Sequence, residues 1–126
     1  MKNKRNFHFK ILDDMYNVPL IFIVGDYDYY QKICRKVGLE KLEQCNYGGE
    51  SLMIQRDDDF LSIVWIPRLT FTTVNYGVIV HELLHVSFRV MEKVGFKLDY
   101  NNHEPINYYL EYLLVKSLEK LKRYYK

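Results

Sequence analysis

The second half of the chain leaves few folds open. "VNYGVIVHELLHVSFRVMEKVGF" (residues 74–96) holds helical spacing throughout, with Ile79, Leu83, Val86 and Val90 on one side. It stops at Gly95, the residue type that most readily follows a helix end. "EPINYYLEYLLVKSLEKLKRYYK" (residues 104–126) opens with Pro105, which a helix accepts only in its first turn. Ile106, Leu110, Leu113 and Leu121 then mark its core face. The loop "KLDYNNH" between the two gives the chain room to turn back, so the helices are expected to return antiparallel. Each carries an apolar face that something else must cover.

The first half supplies the cover. "VPLIFIVGD" (Val18–Asp26) is a short continuous apolar run closed by glycine and reads as a buried strand. "YDYYQKICRKVG" follows with Tyr30, Ile33 and Val37 at helical spacing and Gly38 as the stop. "CNYGGES" reads as a loop. "SLMIQRDDDFLSIVWIP" reads as two strands joined at the acidic turn Asp57–Asp59 and ended by Pro67. No repeat or low-complexity linker interrupts the 126 residues, a length that suits one compact domain. The expectation is a single α+β domain over 1–126, a small sheet packed against two long helices.

Charge and cysteine content narrow the partners. Hydrophobic residues make up 48% of the chain and aromatics 16%, which excludes a disordered protein. The net charge of +2 is unevenly spread. Residues 1–10 carry Lys2, Lys4, Arg5 and Lys10 without an acid, residues 116–126 sum to +4, and the middle sums to −6. With no basic stripe across that middle, the ends read as solvated charge and argue against a nucleic-acid partner. No apolar run reaches membrane-spanning length, and no secretory h-region follows the basic start, so no membrane association and a cytoplasmic setting are expected. Cys34 and Cys45, at a spacing that fits no zinc pattern, are expected to be reduced thiols.

Inside the first long helix lies "HELLH". His81 and His85, at i and i+4, share a helix face with β-carbons about 5–6 Å apart, close enough for both rings to reach one ion. Glu82 is turned by about 100° from His81, so it flanks the ion and does not ligate it. It could then take a proton from an attacking water. Composition alone yields about 0.008 such motifs per chain of this kind, so chance is a poor explanation, although context must decide. The context is a core-packed helix, where a histidine needs a polar partner or a metal; the alternative is two histidines satisfied by water and carboxylates.

A third ligand must come from elsewhere. The residues three and six beyond His85 are Phe88 and Met91, which excludes a third histidine in a "HExxHxxGxxH" arrangement. "NNHEPINYYLEY" offers Glu104, nineteen residues after His85 and at the entry of the returning helix. Glu111 lies about 10.5 Å further along that helix, so only one of the two can sit at the ion. His103 competes with Glu104 for the place; otherwise it flanks the helix start or donates to an oxyanion.

His81-Glu82-x-x-His85 with Glu104 resembles the zincin metallopeptidases that use a glutamate as third ligand, the gluzincin kind. More loosely, the "HE..H" motif with an "NHEP.NYYL"-like helix start is similar to small zinc-peptidase-like proteins of phages and bacteria. The resemblance covers roughly residues 60–115. It implies a minimal zincin-like domain that binds Zn²⁺, uses Glu82 as general base, and hydrolyses a peptide or protein substrate. It also implies a sheet-edge strand that holds extended peptide. The expected strand is "FLSIVWIP" (Phe60–Pro67), with Trp65, Ile63 and Leu61 on one face and Trp65 either a substrate contact or simply part of the core. Many gluzincins carry an acid four residues after the ligand glutamate, whereas this chain has Tyr108, which either packs or stabilises an oxyanion. The reading that competes with a peptidase is a non-enzymatic interaction protein retaining a structural or vestigial metal site.

Overall fold

A computed structural model describes residues 6–39 and 48–124. Lys2, Lys4, Arg5, Cys45 and Lys126 lie outside the described residues. The chain order is β1 (Phe7–Ile11), β2 (Leu20–Val24), α1 (Tyr27–Lys36), β3 (Glu50–Arg56), β4 (Asp59–Ile66), α2 (Thr73–Val94) and α3 (Glu104–Leu121). The four strands form one mixed sheet in the order β1-β2-β4-β3. β1 and β3 are antiparallel to their neighbours, while β2 and β4 run parallel with Phe22 beside Val64. The α+β architecture is therefore present, with α2 and α3 on one face and the shorter α1 on the other.

Strand alternation sorts the side chains into two cores. Phe7, Phe9, Phe22, Val64 and Ile66 meet Ile79, Leu83, Val86 and Val90 of α2 and Tyr109 and Leu113 of α3. Ile21, Ile23, Ile63 and Trp65 meet Tyr30, Ile33 and Cys34 of α1. β2 is buried along its whole length, as expected of a central strand covered on both faces. β1 was not anticipated from the sequence; its Phe7, Phe9 and Ile11 point inward while His8 and Lys10 point out.

The helix ends follow local chemistry. The Thr72 hydroxyl accepts from the Asn75 amide at the start of α2. Gly95, at φ +89°, closes the helix in the left-handed conformation, and the Phe96 amide donates to Met91 O. Pro105 occupies the first turn of α3. Thr72 to Gly95 thus fixes a helix of 22 residues whose middle carries the histidine pair.

Two buried polar clusters tie the layers together. The Asp13 carboxylate, almost fully buried, accepts from the amides of Met15, Tyr16 and Val18 and from the Tyr109 hydroxyl at 2.8 Å. Burial, then the Asp13 hydrogen bond, push the Tyr109 phenol well above its ordinary pKa. Beyond the sheet, Tyr30 stacks on Trp65 at 4.6 Å and donates to Glu50 at 2.6 Å. Burial, reinforced by that carboxylate, raises the Tyr30 phenol likewise. Cys34 beside it is a buried free thiol whose pKa burial pushes up to about 11. No described helix is long and apolar enough to cross a membrane.

Candidate functional site

His81 and His85 project from the middle of α2 with their rings edge to face, 4.8 Å between centroids. Their Nε2 atoms are 3.2 Å apart. Two nitrogens bound to one tetrahedral ion at about 2.0–2.1 Å would be separated by about 3.3–3.4 Å. The pair therefore fits two corners of a zinc site with a small adjustment. Glu82, one residue on, is only 7% exposed. Among the described residues nothing hydrogen-bonds its carboxylate, and its oxygens are not among the sealed, unpartnered polar atoms. It faces the same cleft as the two histidines.

That cleft, of about 680 Å³, is walled by α2 and by the start of β3 from Gly48 to Ser51. The two walls come close at Gly49. A β-carbon there would lie 3.3 Å from Glu82 Oε2 and 3.1 Å from both Trp65 O and Val78 Cγ1. Only a residue without a side chain lets the strand come this near the carboxylate. One turn beyond His85, Arg89 also lines the cleft, and its Nη1 donates to Ser51 Oγ at 2.7 Å. Neither Gly49 nor Arg89 stood out in the sequence. Arg89 continues the i, i+4, i+8 row from His81, and that spacing was the available signal.

The strand that flanks the helix is β3, not Phe60–Pro67. β4 pairs with β2 on one side and β3 on the other, so it has no free edge. Trp65 is 3% exposed, stacks on Tyr30 and donates its Nε1 proton to Gly25 O on the α1 face. Alternation turns Val64 and Ile66 toward α2 and Trp65 away from it, so the substrate contact expected of Trp65 is withdrawn. The run "LSIVWI" is apolar on both faces because both faces are covered.

The second helix does not bring its polar residues to the pair. Tyr16 packs edge-on against Phe96, just past α2, and against Tyr109, in the second turn of α3. The first turns of α3 thus lie level with the C-terminal end of α2, whereas His85 is about 13.5 Å earlier on the helix axis. Glu104 is exposed and accepts from the Asn107 amide at 3.4 Å, with His103 Nδ1 3.8 Å from its Oε1. His103 occupies the N-cap of α3 without a side-chain capping bond. Tyr108 is 60% exposed, and Glu111 is exposed as well. Among the described residues, no three His, Cys, Asp or Glu side chains are grouped closely enough to hold an ion. The structure assembles His81, Glu82, His85, Gly49 and Arg89 around one cleft and leaves Glu104, His103 and Tyr108 outside it.

No protein-family model, curated protein or solved structure matches this chain.

Proposed function

We propose that the chain is a zinc-dependent metallopeptidase that hydrolyses a peptide bond, with Glu82 as general base. The reading rests on one observation: two Nε2 atoms at ligand separation beside a carboxylate that has no protein partner among the described residues, all opening on one cleft. A purely structural metal site would leave that carboxylate without a task. His81 and His85 would hold the ion; Glu104, which the family resemblance implies as third ligand, lies outside the cleft, so no third protein ligand is assigned. A zinc ion held there would supply Lewis-acid chemistry to a carbonyl and to a water in the cleft.

The protein's own groups account for the rest. Glu82 takes a proton from a water in the cleft and returns it to the departing amine nitrogen. Gly49 keeps the space beside that carboxylate clear. β3 bonds only to β4, and no described strand covers its outer edge, so its backbone is open to an extended peptide.

Elemental analysis and a peptide-cleavage assay test the reading together. About one zinc per chain is expected after purification without chelator. Glu82→Gln should retain the metal and the fold but lose hydrolysis by roughly two to four orders of magnitude. Failure to take up zinc, or a glutamine variant as active as the parent, would sink the proposal.

A further inference from the structure

Arg89 stands where the cleft continues along α2. It lines the cleft around the histidines and also a smaller hollow of about 180 Å³ bounded by Met53, Phe60, Glu92 and Lys93. Its guanidinium is half-buried, yet among the described residues no carboxylate lies within ion-pair distance. Glu92, one turn further on, makes no ion pair with it. Its observed side-chain partner is the neutral Ser51 hydroxyl, so four of its five N–H donors are uncommitted within the described residues. Ser51 is itself buried and fixed in the β3 ladder opposite Val64, so the hydroxyl aims the guanidinium. The two acids that line the cleft do not neutralise it. Glu50 accepts from Tyr30 on the far side of the sheet, and Glu82 is the proposed base.

The two walls run the same way along the cleft: Gly49 packs against Glu82, and Ser51 meets Arg89 further on. Ser51 is two residues past Gly49, about 6.8 Å along the strand. A peptide stretched along β3 advances about 3.4 Å per residue and sends alternate side chains to the same face. The side chain two positions from the one abreast of Gly49 therefore meets Arg89.

We infer that Arg89, oriented by Ser51, is a specificity residue that selects a peptide with an aspartate or glutamate within about two residues of the scissile bond. The inference rests on the peptidase reading for the bond that is cut, but the recognition itself does not require cutting. A charged acceptor held by a fixed guanidinium gives a discrimination of roughly ten- to a hundredfold over its neutral isostere.

The experiment uses peptides that differ only as Glu, Gln or Lys at each position flanking the cut. With the zinc-loaded protein, kcat/KM for the Glu peptide should exceed that for Gln by roughly tenfold or more. The ratio should fall to about one in Arg89→Gln, and Arg89→Glu should turn the preference toward Lys. A Glu-to-Gln ratio near one in the parent, or one unchanged in Arg89→Gln, would overturn the inference and leave the peptidase reading intact. Equilibrium binding of the same peptides to zinc-loaded Glu82→Gln gives a second arm. If the parent cuts nothing, the peptidase reading fails, and the Glu-to-Gln binding ratio with and without Arg89 still decides the role of Arg89. A reversed preference in Arg89→Glu cannot arise from misfolding.

Discussion

Three glycines border the cleft, and the space around them differs enough to give opposite expectations for the same substitution. At Gly49 an alanine methyl would sit 3.1 Å from Trp65 O, 3.1 Å from Val78 Cγ1 and 3.3 Å from Glu82 Oε2. Comfortable contact between carbon atoms begins at about 3.5 Å, so each neighbour must give by a few tenths of an ångström. Trp65 O cannot do so easily, because its strand is paired on both sides. Overpacking of this size costs about 1–3 kcal/mol, less about 0.4–1 kcal/mol recovered from the stiffer unfolded chain. Gly49→Ala should therefore lose about 1–2 kcal/mol. Gly77, within α2, and exposed Gly48 have nothing within 4 Å of the added carbon. Gly77→Ala should gain about 0.5–1 kcal/mol from helix propensity, and Gly48→Ala should change stability by under about 0.5 kcal/mol. Urea unfolding of the three variants ranks them. Activity should separate them further, since the Gly49 methyl presses on the proposed base and a misplacement approaching 1 Å can cost about a hundredfold in rate. A Gly49→Ala protein as stable as Gly48→Ala and as active as the parent would refute the reasoning.

Two further outcomes are expected. In competition with a chelator, His81→Ala and His85→Ala should each release zinc far more readily than Glu104→Ala, His103→Ala or Glu111→Ala, whose side chains lie outside the cleft; a Glu104→Ala protein that lost zinc as readily as His81→Ala would overturn that placement. Because the phenols of Tyr30 and Tyr109 are raised in the fold, their contribution to stability is whole below the unfolded value of about 10 and is lost as pH rises beyond it. Phenolate absorbance should accordingly show these two of the twelve tyrosines ionising only as far-ultraviolet dichroism collapses. Tyr109→Phe should cost about 1.5–3 kcal/mol at neutral pH through its lost bond to Asp13, and early ionisation of all twelve would contradict the buried clusters.

The helices were legible because each obeys one local rule at each end: Gly95 past α2 and Pro105 inside α3. The histidine pair was legible for the same reason, since four residues on a helix bring rings together whatever surrounds them. What failed was non-local. β1 hid behind a basic terminus, although Phe7, Phe9 and Ile11 alternate with His8 and Lys10 as a half-buried strand should. "LSIVWI" is open to an edge or a core reading from its alternation, yet a run apolar on both faces is the mark of a central strand, and the more exposed β3 is the edge beside it. The row from His81 to Arg89 could have been followed one step further. Gly49 could not have been found, because its importance arises from a carboxylate 33 positions away, and no window of sequence contains both.

The Asp13 cluster has a consequence for how the protein is made. Asp13 and Tyr109 are 96 positions apart, the Leu12 carbonyl meets Tyr112 across 100, and the Phe7 ring stacks on Tyr124 at 4.0 Å. β1 has its helical cover from α3. On the ribosome, the first strands emerge with their inner face bare and stay so until nearly all of the remaining described chain has been synthesised. Contacts of such long range are slow to close. Folding is thus expected to wait for α3, and in the interval Phe7, Phe9 and Phe22 are a surface for chaperones to hold.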